Sequence, residues 1–368
     1  MDIVTISLRV LAFILGLALV ISAANSAVLT FVLPRLGRSL VTRWLFLTTR
    51  FIFNVLTRRQ KDYIRRDGIM ALYAPVSLLL LPVTWLAITL VGFAGIYWAL
   101  GIPTVGDSFR ESGSALLTLG FSSPPDAATT VAAFFEATMG LTLIALLIAY
   151  LPTMYSAFSK RETQVTLLEV RAGNPPSAST LYKRMHRLGQ MDGLTDMWKS
   201  WEVWFAELDE THTSLAALPF YRSPRAEHSW VTAAGAVLDA AAIAASSLDI
   251  PRDANQDICI RSGYLAMRHI ADYFRLPYDP DPKPGDPISI KREEFDAMYD
   301  DLRDYGIAMK PDREKAWHDF TGWRVNYDSV LLALAVLTMA PEAPWSSDRV
   351  LQENLLPKVR ETNVKQLR

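Results

Sequence analysis

A single cysteine, Cys259, among 368 residues excludes an intramolecular disulfide, a thiol redox pair and a cysteine-built zinc site within one chain. Charge is sparse as well. Asp, Glu, Lys and Arg make up 20% of the residues against 51% hydrophobic ones, and the mean hydropathy of +0.16 is too high for a chain dissolved over its whole length. A formal net charge of −1 leaves no basic surplus for holding a phosphate backbone, which argues against a nucleic-acid partner. Common catalytic motifs are missing too. No Gly-x-Gly-x-x-Gly follows a strand pattern, no Walker or Gly-x-Ser-x-Gly motif occurs, and His186, His212, His228, His269 and His318 show no ligand spacing. An enzyme, an organic cofactor and a resident metal are therefore not expected.

What the chain does have is long uncharged runs. No charge lies between Arg9 and Arg35, a stretch longer than the roughly 20 apolar residues needed to cross about 30 Å of hydrocarbon. Residues 1–33 are accordingly expected to form a first membrane span. A cleaved leader is the rival reading, because Ser22-Ala23-Ala24 looks like a cleavage site; against it, Asp2 stands where a leader is basic and the apolar run continues to Leu33. Residues 34–68 then carry Arg35, Arg38, Arg43, Arg50, Arg58, Arg59, Lys61, Arg65 and Arg66 against Asp62 and Asp67, with Trp44, Phe46, Phe51 and Phe53 interleaved. This composition suits an interfacial amphipathic connector on the cytoplasmic side. It either fixes topology alone or also binds anionic lipid.

Two further uncharged runs follow. Residues 69–100 form an expected second span, with Pro75 and Pro82 inside it as local bends. Residues 127–158 form a third, ended by Lys160-Arg161, which positive-inside logic places in the cytoplasm. Charge counting thus sets the N-terminus outside, the chain as a multi-pass protein of the cell membrane, and residues 161–368 in the cytoplasm. There acidic residues outnumber basic ones. Apolar periodicity predicts helices near 179–210, 228–248, 254–275, 291–306, 311–322, 327–340 and 347–360, with Thr163–Val170 as the best strand candidate and the proline-rich stretch from Asp279 to Pro287 as a connector.

The segment between the second and third spans is the informative one. Residues 107–126 are too apolar in the middle for a plain external loop. Ser108 with Glu111 has the spacing of a capping box, so a short helix is expected from there to about Leu117, followed by Thr118-Leu119-Gly120-Phe121-Ser122 without a helix. Irregular backbone at membrane depth is tolerated only where protein buries it or where it lines a water-filled path. A dehydrated cation can satisfy its carbonyls, and glycine reaches the conformations such a turn demands.

These residues resemble the pore domain of the potassium channel family, whose outline is span, pore helix, Thr-Val-Gly-Tyr-Gly-Asp filter, span. Thr118, Leu119, Gly120 and Phe121 take the first four filter places, while Ser122 and Ser123 stand where the family has its second glycine and aspartate. The resemblance covers residues 69–160. It implies a selectivity filter of Thr118, Leu119, Gly120, Phe121 and Ser122, K+ as the permeant ion, and a homotetramer, since one loop supplies a quarter of a carbonyl ring. Gly140 then falls where such channels often hinge, though close helix packing explains it equally; Pro152 falls at the inner gate, or at a helix end. Glu136 is expected to pair with Arg110 or Ser114 behind the pore helix, or to sit near the pore mouth.

The fold expected is therefore an all-α membrane protein. A channel-like pore (69–160) is preceded by one N-terminal span and followed by an all-α cytosolic domain (161–368) that gates or assembles it. The alternative is a non-conducting, membrane-anchored scaffold or sensor whose cytosolic helices bind a protein or small ligand. Trp198, Trp201, Trp204 and Trp230 are expected in a helical core. Asp296, Asp300, Asp301 and Asp304 are expected on a solvated helix face rather than around a divalent cation.

Overall fold

A computed structural model describes residues 3–32 and 39–349. Arg35 and Arg38 of the basic connector, and the helix expected over 347–360 beyond Arg349, lie outside the described residues. Among these residues the chain is all-helical, with only an isolated antiparallel bridge between Leu248 and Met309. It divides into two compact units, Met1–Ser156 and Ala157–Arg368.

The first unit contains α1 (Ile3–Phe31), α2 (Leu40–Thr57), α3 (Tyr63–Met70), α4 (Tyr73–Leu100), α5 (Val105–Leu116) and most of the apolar part of α6 (Ala127–Ala172). Three helical stretches, Ile3–Phe31, Tyr63–Leu100 and Ala127–Ala172, are long and apolar enough to cross a membrane. The basic connector is two helices rather than one. Ser39 starts α2 by accepting from Thr42 N at 3.2 Å, and Asp62 starts α3 by accepting from Ile64 N at 3.2 Å. Pro75 lies in the first turn of α4, where its missing N–H leaves no helix bond unmade, while Pro82 and Pro152 lie inside continuous helices.

Small residues set how α1 meets α4. A Cβ on Gly16 would stand 2.4 Å from the carbonyl oxygen of Gly92, and one on Gly92 would stand 2.8 Å from that of Gly16. The two backbones therefore touch, as expected where lipid removes the hydrophobic drive and close packing must replace it. Polar groups tie the other end. Trp85 Nε1 donates to Ser26 Oγ at 2.8 Å, Ser26 and Ser39 hydroxyls lie 2.5 Å apart, and those of Thr30 and Thr42 2.8 Å apart.

The second unit is built around α9 (Trp230–Ser246), which is buried along almost its whole length because it is apolar on every face. Around it pack α7 (Ala178–Arg187), α10 (Ala254–Phe274), α12 (Arg313–Arg324) and α13 (Asp328–Thr338), with α8 (Leu194–Ser214) on α10 and α11 (Arg292–Asp304) on α7. The helix expected over 179–210 is broken into α7 and α8 by the turn at Gly189, whose φ of +63° continues neither. Trp198, Trp201, Trp204 and Trp230 are core residues, all at most 4% exposed. The acidic residues of α11 are ion-paired: Asp296 with Arg292, Asp300 with Arg303 and Arg313, Asp301 with Lys183, and Asp304 with Arg303. No cluster of metal-ligating side chains occurs among the described residues.

Thr163–Val170 belongs to α6, not to a strand. Val165, Leu168 and Ala172 fall on one helix face and are buried in the domain core, which outweighs the β-branched content of the stretch. On the neighbouring turn Arg161 is 4% exposed and donates to the carbonyls of Leu218 (2.9 Å) and Tyr221 (2.6 Å), while Trp204 Nε1 donates to the Arg161 carbonyl at 3.3 Å. Neutral His212 accepts from Arg161 Nη1 at 3.3 Å.

Burial, and then the Arg161 charge, hold the His212 imidazole well below its ordinary pKa. Unfolded, it titrates near 6.5; folded, it stays neutral below that, so the unfolded chain binds the extra proton. Stability from this group is complete above pH 6.5 and is lost as pH falls beneath it, by at most about 1.4 kcal/mol per pH unit. Denaturant midpoints at pH 7.5 and 5.5 should therefore diverge more in the native chain than in His212→Gln, which keeps an acceptor for Arg161 but cannot titrate. Equal pH dependence in the two would contradict this account.

Candidate functional site

Between α4 and α6 lies the short helix α5, and its start differs from the expected one. Thr104 is the cap, with φ −119°; its Oγ1 accepts from Asp107 N at 3.0 Å. Ser108 sits inside the helix and its hydroxyl donates back to the Thr104 carbonyl at 3.0 Å. The overlapping pattern Thr104-x-x-Asp107 thus wins over Ser108-x-x-Glu111.

One face of α5 is polar yet buried. Ser108, Glu111, Ser112 and Ser114 are each at most 3% exposed, and Glu136 of α6 and Tyr97 of α4 are fully buried. Glu136 pairs with neither Arg110 nor Ser114. Its carboxylate accepts from Tyr97 Oη at 2.8 Å and lies 2.5 Å from Ser112 Oγ, which is also 3.0 Å from the Leu90 carbonyl. One carboxyl therefore joins α4, α5 and α6.

Beyond Leu116 the helix stops and the chain turns through alternating backbone hand. Thr118 has φ +54° and Gly120 φ +70°, while Leu119 and Phe121 do not share that sign. Glycine meets this demand at no cost; threonine does not, so Thr118 stores strain of about 1 kcal/mol or more. The N–H groups fold back on α5: Thr118 N to Ala115 O (3.1 Å), Leu119 N to Ser114 O (2.9 Å) and Ser122 N to Ser114 Oγ (3.1 Å). Ser122 Oγ donates to Glu111. Among the described residues no donor reaches the carbonyl of any residue from Thr118 to Ser122. Leu119 and Phe121 are 59% and 60% exposed. Asp126 closes the segment by accepting from Thr129 N at 2.8 Å at the head of α6.

Of the residues expected to matter, Thr118 to Ser122 form this irregular segment, and Gly140 lies behind it. A Cβ on Gly140 would stand 2.4 Å from the Leu116 carbonyl oxygen and 3.1 Å from Leu116 Cδ1. Pro152 lies three turns further along α6 and has no part in the segment. Of the residues that brace the segment from behind, Tyr97 and Ser112 were not singled out by sequence pattern, and Glu111 was expected only as a capping-box partner. Their signal is chemical: a phenol, a carboxyl and hydroxyls within otherwise apolar surroundings must find one another.

The Gly140 contact makes a signed prediction. Gly→Ala inside a helix ordinarily stabilises by about 1 kcal/mol. Here Gly140→Ala should instead destabilise by about 1–3 kcal/mol, because its methyl meets backbone. A thermal midpoint in detergent that rises would show that α6 and Leu116 are not in this contact.

No family model matches the chain, and neither a curated protein nor a solved structure matches it.

Proposed function

We propose that this protein is the subunit of a tetrameric cation channel that passes potassium, with Thr118 to Ser122 as its carbonyl-lined filter. The observation that carries the reading is the split of the backbone there: N–H groups turn inward to α5 and the carbonyls are left without donors. Alternating hand gathers successive N–H groups on one side of a chain and turns the carbonyls to the other. In a bilayer, orphaned carbonyls cost several kcal/mol each unless a cation or water meets them. Four copies around an axis give rings of oxygens able to replace a hydration shell. One segment per chain makes the fourfold assembly a requirement of this reading. The N-terminus then lies outside and the C-terminal helical domain is cytosolic, where it gates or assembles the pore, while residues 34–68 rest on the lipid surface.

Purified protein in planar bilayers of mixed zwitterionic and anionic lipid is expected to carry potassium-selective single-channel currents. Gly120→Ala, which cannot hold φ +70° without strain, is expected to reduce unitary conductance at least tenfold. A confirmed tetramer that is silent in every lipid and voltage tested, or a chain that cross-links only as monomer or dimer in native membranes, would refute the proposal.

A further inference from the structure

The C-terminal helical domain contains a cavity of about 590 Å³, within the size range of small-molecule sites. It lies wholly inside that domain, between the end of α9, the first turn of α10 and the last turns of α12, with Pro284 of the proline-rich connector against Gly322 at its edge (3.6 Å from where a Cβ would be). Its lining is mixed in a directed way. Ala244, Ala245, Ile250 and Pro251 give an apolar wall, and the half-buried indole of Trp323 gives a flat one.

Two polar side chains, Gln256 and Lys310, border this space. Gln256 is 3% exposed, and its side-chain amide makes no hydrogen bond among the described residues although it borders the cavity. Its amide atoms reach the cavity surface, so a ligand seated there must supply hydrogen bonds in place of those from water. Gln256 stands in the first turn of α10, whose N-terminus is already capped by the Asp253 carboxylate, accepting from Asn255 N at 2.9 Å, so it adds no free positive charge. Lys310 is half-buried and its ammonium donates to the Ala245 carbonyl at 2.6 Å, with no carboxylate of the described residues within ion-pair distance. The other charges at the rim are paired: Arg252 with Asp257 at 2.8 Å, and Asp319 with Lys315 at 2.5 Å. The cavity therefore offers one uncompensated positive charge, an amide able to donate and accept, and an aromatic face.

We infer that this cavity binds a planar aromatic ligand bearing a single anionic group, with the ring on Trp323, its edge on the Gln256 amide and the anion at Lys310. Two chemistries share this description, the phosphate of a nucleoside monophosphate and an aryl carboxylate. The inference stands independently of conduction.

Equilibrium dialysis of the full-length protein in detergent tests it, with adenosine 5′-monophosphate and indole-3-carboxylate as probes and with adenosine and inorganic phosphate as half-ligands. One probe is expected to bind at least tenfold more tightly than either half-ligand. Preference for the monophosphate assigns a phosphate ligand, and preference for the carboxylate assigns an aryl acid. Gln256→Leu, Trp323→Leu and Lys310→Met should each weaken binding about tenfold while leaving elution volume and thermal midpoint near the native values. Should a variant fail to fold, photoaffinity labelling of the unaltered chain with the azido derivative of whichever probe binds decides, and label is expected on peptides spanning 250–257 and 318–326. Saturation by neither probe in the millimolar range, affinity indifferent to all three substitutions, or label confined to other peptides would overturn the inference.

Discussion

Arg324→Leu is expected to destabilise the C-terminal helical domain by about 3–5 kcal/mol, enough to unfold much of it at 37 °C. Arg324 has no exposed surface. Its Nη1 donates to Asp239 Oδ1 at 2.5 Å, Nε to Asp328 Oδ1 at 2.7 Å and Nη2 to the Trp345 carbonyl at 2.7 Å. Tyr327 Oη adds a fourth bond, donating to Asp239 at 2.9 Å, and Ser289 donates to Asp328 through both N and Oγ at 2.7 Å. One guanidinium thus joins α9, α12, α13 and the segment after α13. Removing it strands two buried carboxylates, and that stranding rather than the lost bonds is the larger part of the effect. Replacing all three charges together, Arg324→Met with Asp239→Leu and Asp328→Asn, should therefore recover part of the loss. Tryptophan fluorescence against denaturant measures both. A shift of under 1 kcal/mol for the single variant would show the cluster to be wet and weakly coupled.

The long-range half of that cluster is not legible in the sequence, because Asp239 and Arg324 are 85 positions apart and an aspartate inside an alanine-rich helix carries no mark of its partner; only Arg324 and Asp328 stand at an i,i+4 spacing. The spans are legible for the opposite reason. A run without charge has one physical destination, and the runs after Arg9, Gly68 and Asp126 coincide with α1, α4 and the first part of α6. Local chemistry misleads where two patterns overlap. Thr104-x-x-Asp107 and Ser108-x-x-Glu111 both satisfy capping spacing, and only the backbone shows that Ser108 already donates to the Thr104 carbonyl inside the helix. Thr163–Val170 misleads similarly, since its β-branched residues suggest a strand while the burial of Val165, Leu168 and Ala172 follows helical spacing.

The irregular segment is half legible. That Gly120 turns left-handed follows from its residue type, but the positive φ of Thr118 does not, since threonine avoids it. Such strain persists only when neighbours over-determine it. Here the neighbours are Ser114, which receives Leu119 N and Ser122 N, and Glu111, which receives Ser122 Oγ. Both lie on α5, and α5 is in turn held to α4 and α6 through the Glu136 carboxyl, a brace that appears in no single stretch of sequence.

The same brace sets the second large effect. Glu136→Leu is expected to cost about 2–4 kcal/mol, because it removes the acceptor of the fully buried Tyr97 hydroxyl and the nearest partner of Ser112 at once, each orphaned group costing about 1–3 kcal/mol. Glu136→Gln should be nearly neutral. Its carbonyl accepts from Tyr97, and its amide donates to Ser112, whose single proton then goes to the Leu90 carbonyl at 3.0 Å. Glu136→Asp falls between, since the shorter side chain reaches one partner but not both. Thermal midpoints in detergent should order native, Gln, Asp, Leu. Tyr97→Phe combined with Glu136→Leu should lose less than the two losses added, because each single change already breaks the shared bond. Strict additivity, or a Gln variant as damaged as Leu, would mean that α4, α5 and α6 are not held together through this carboxyl.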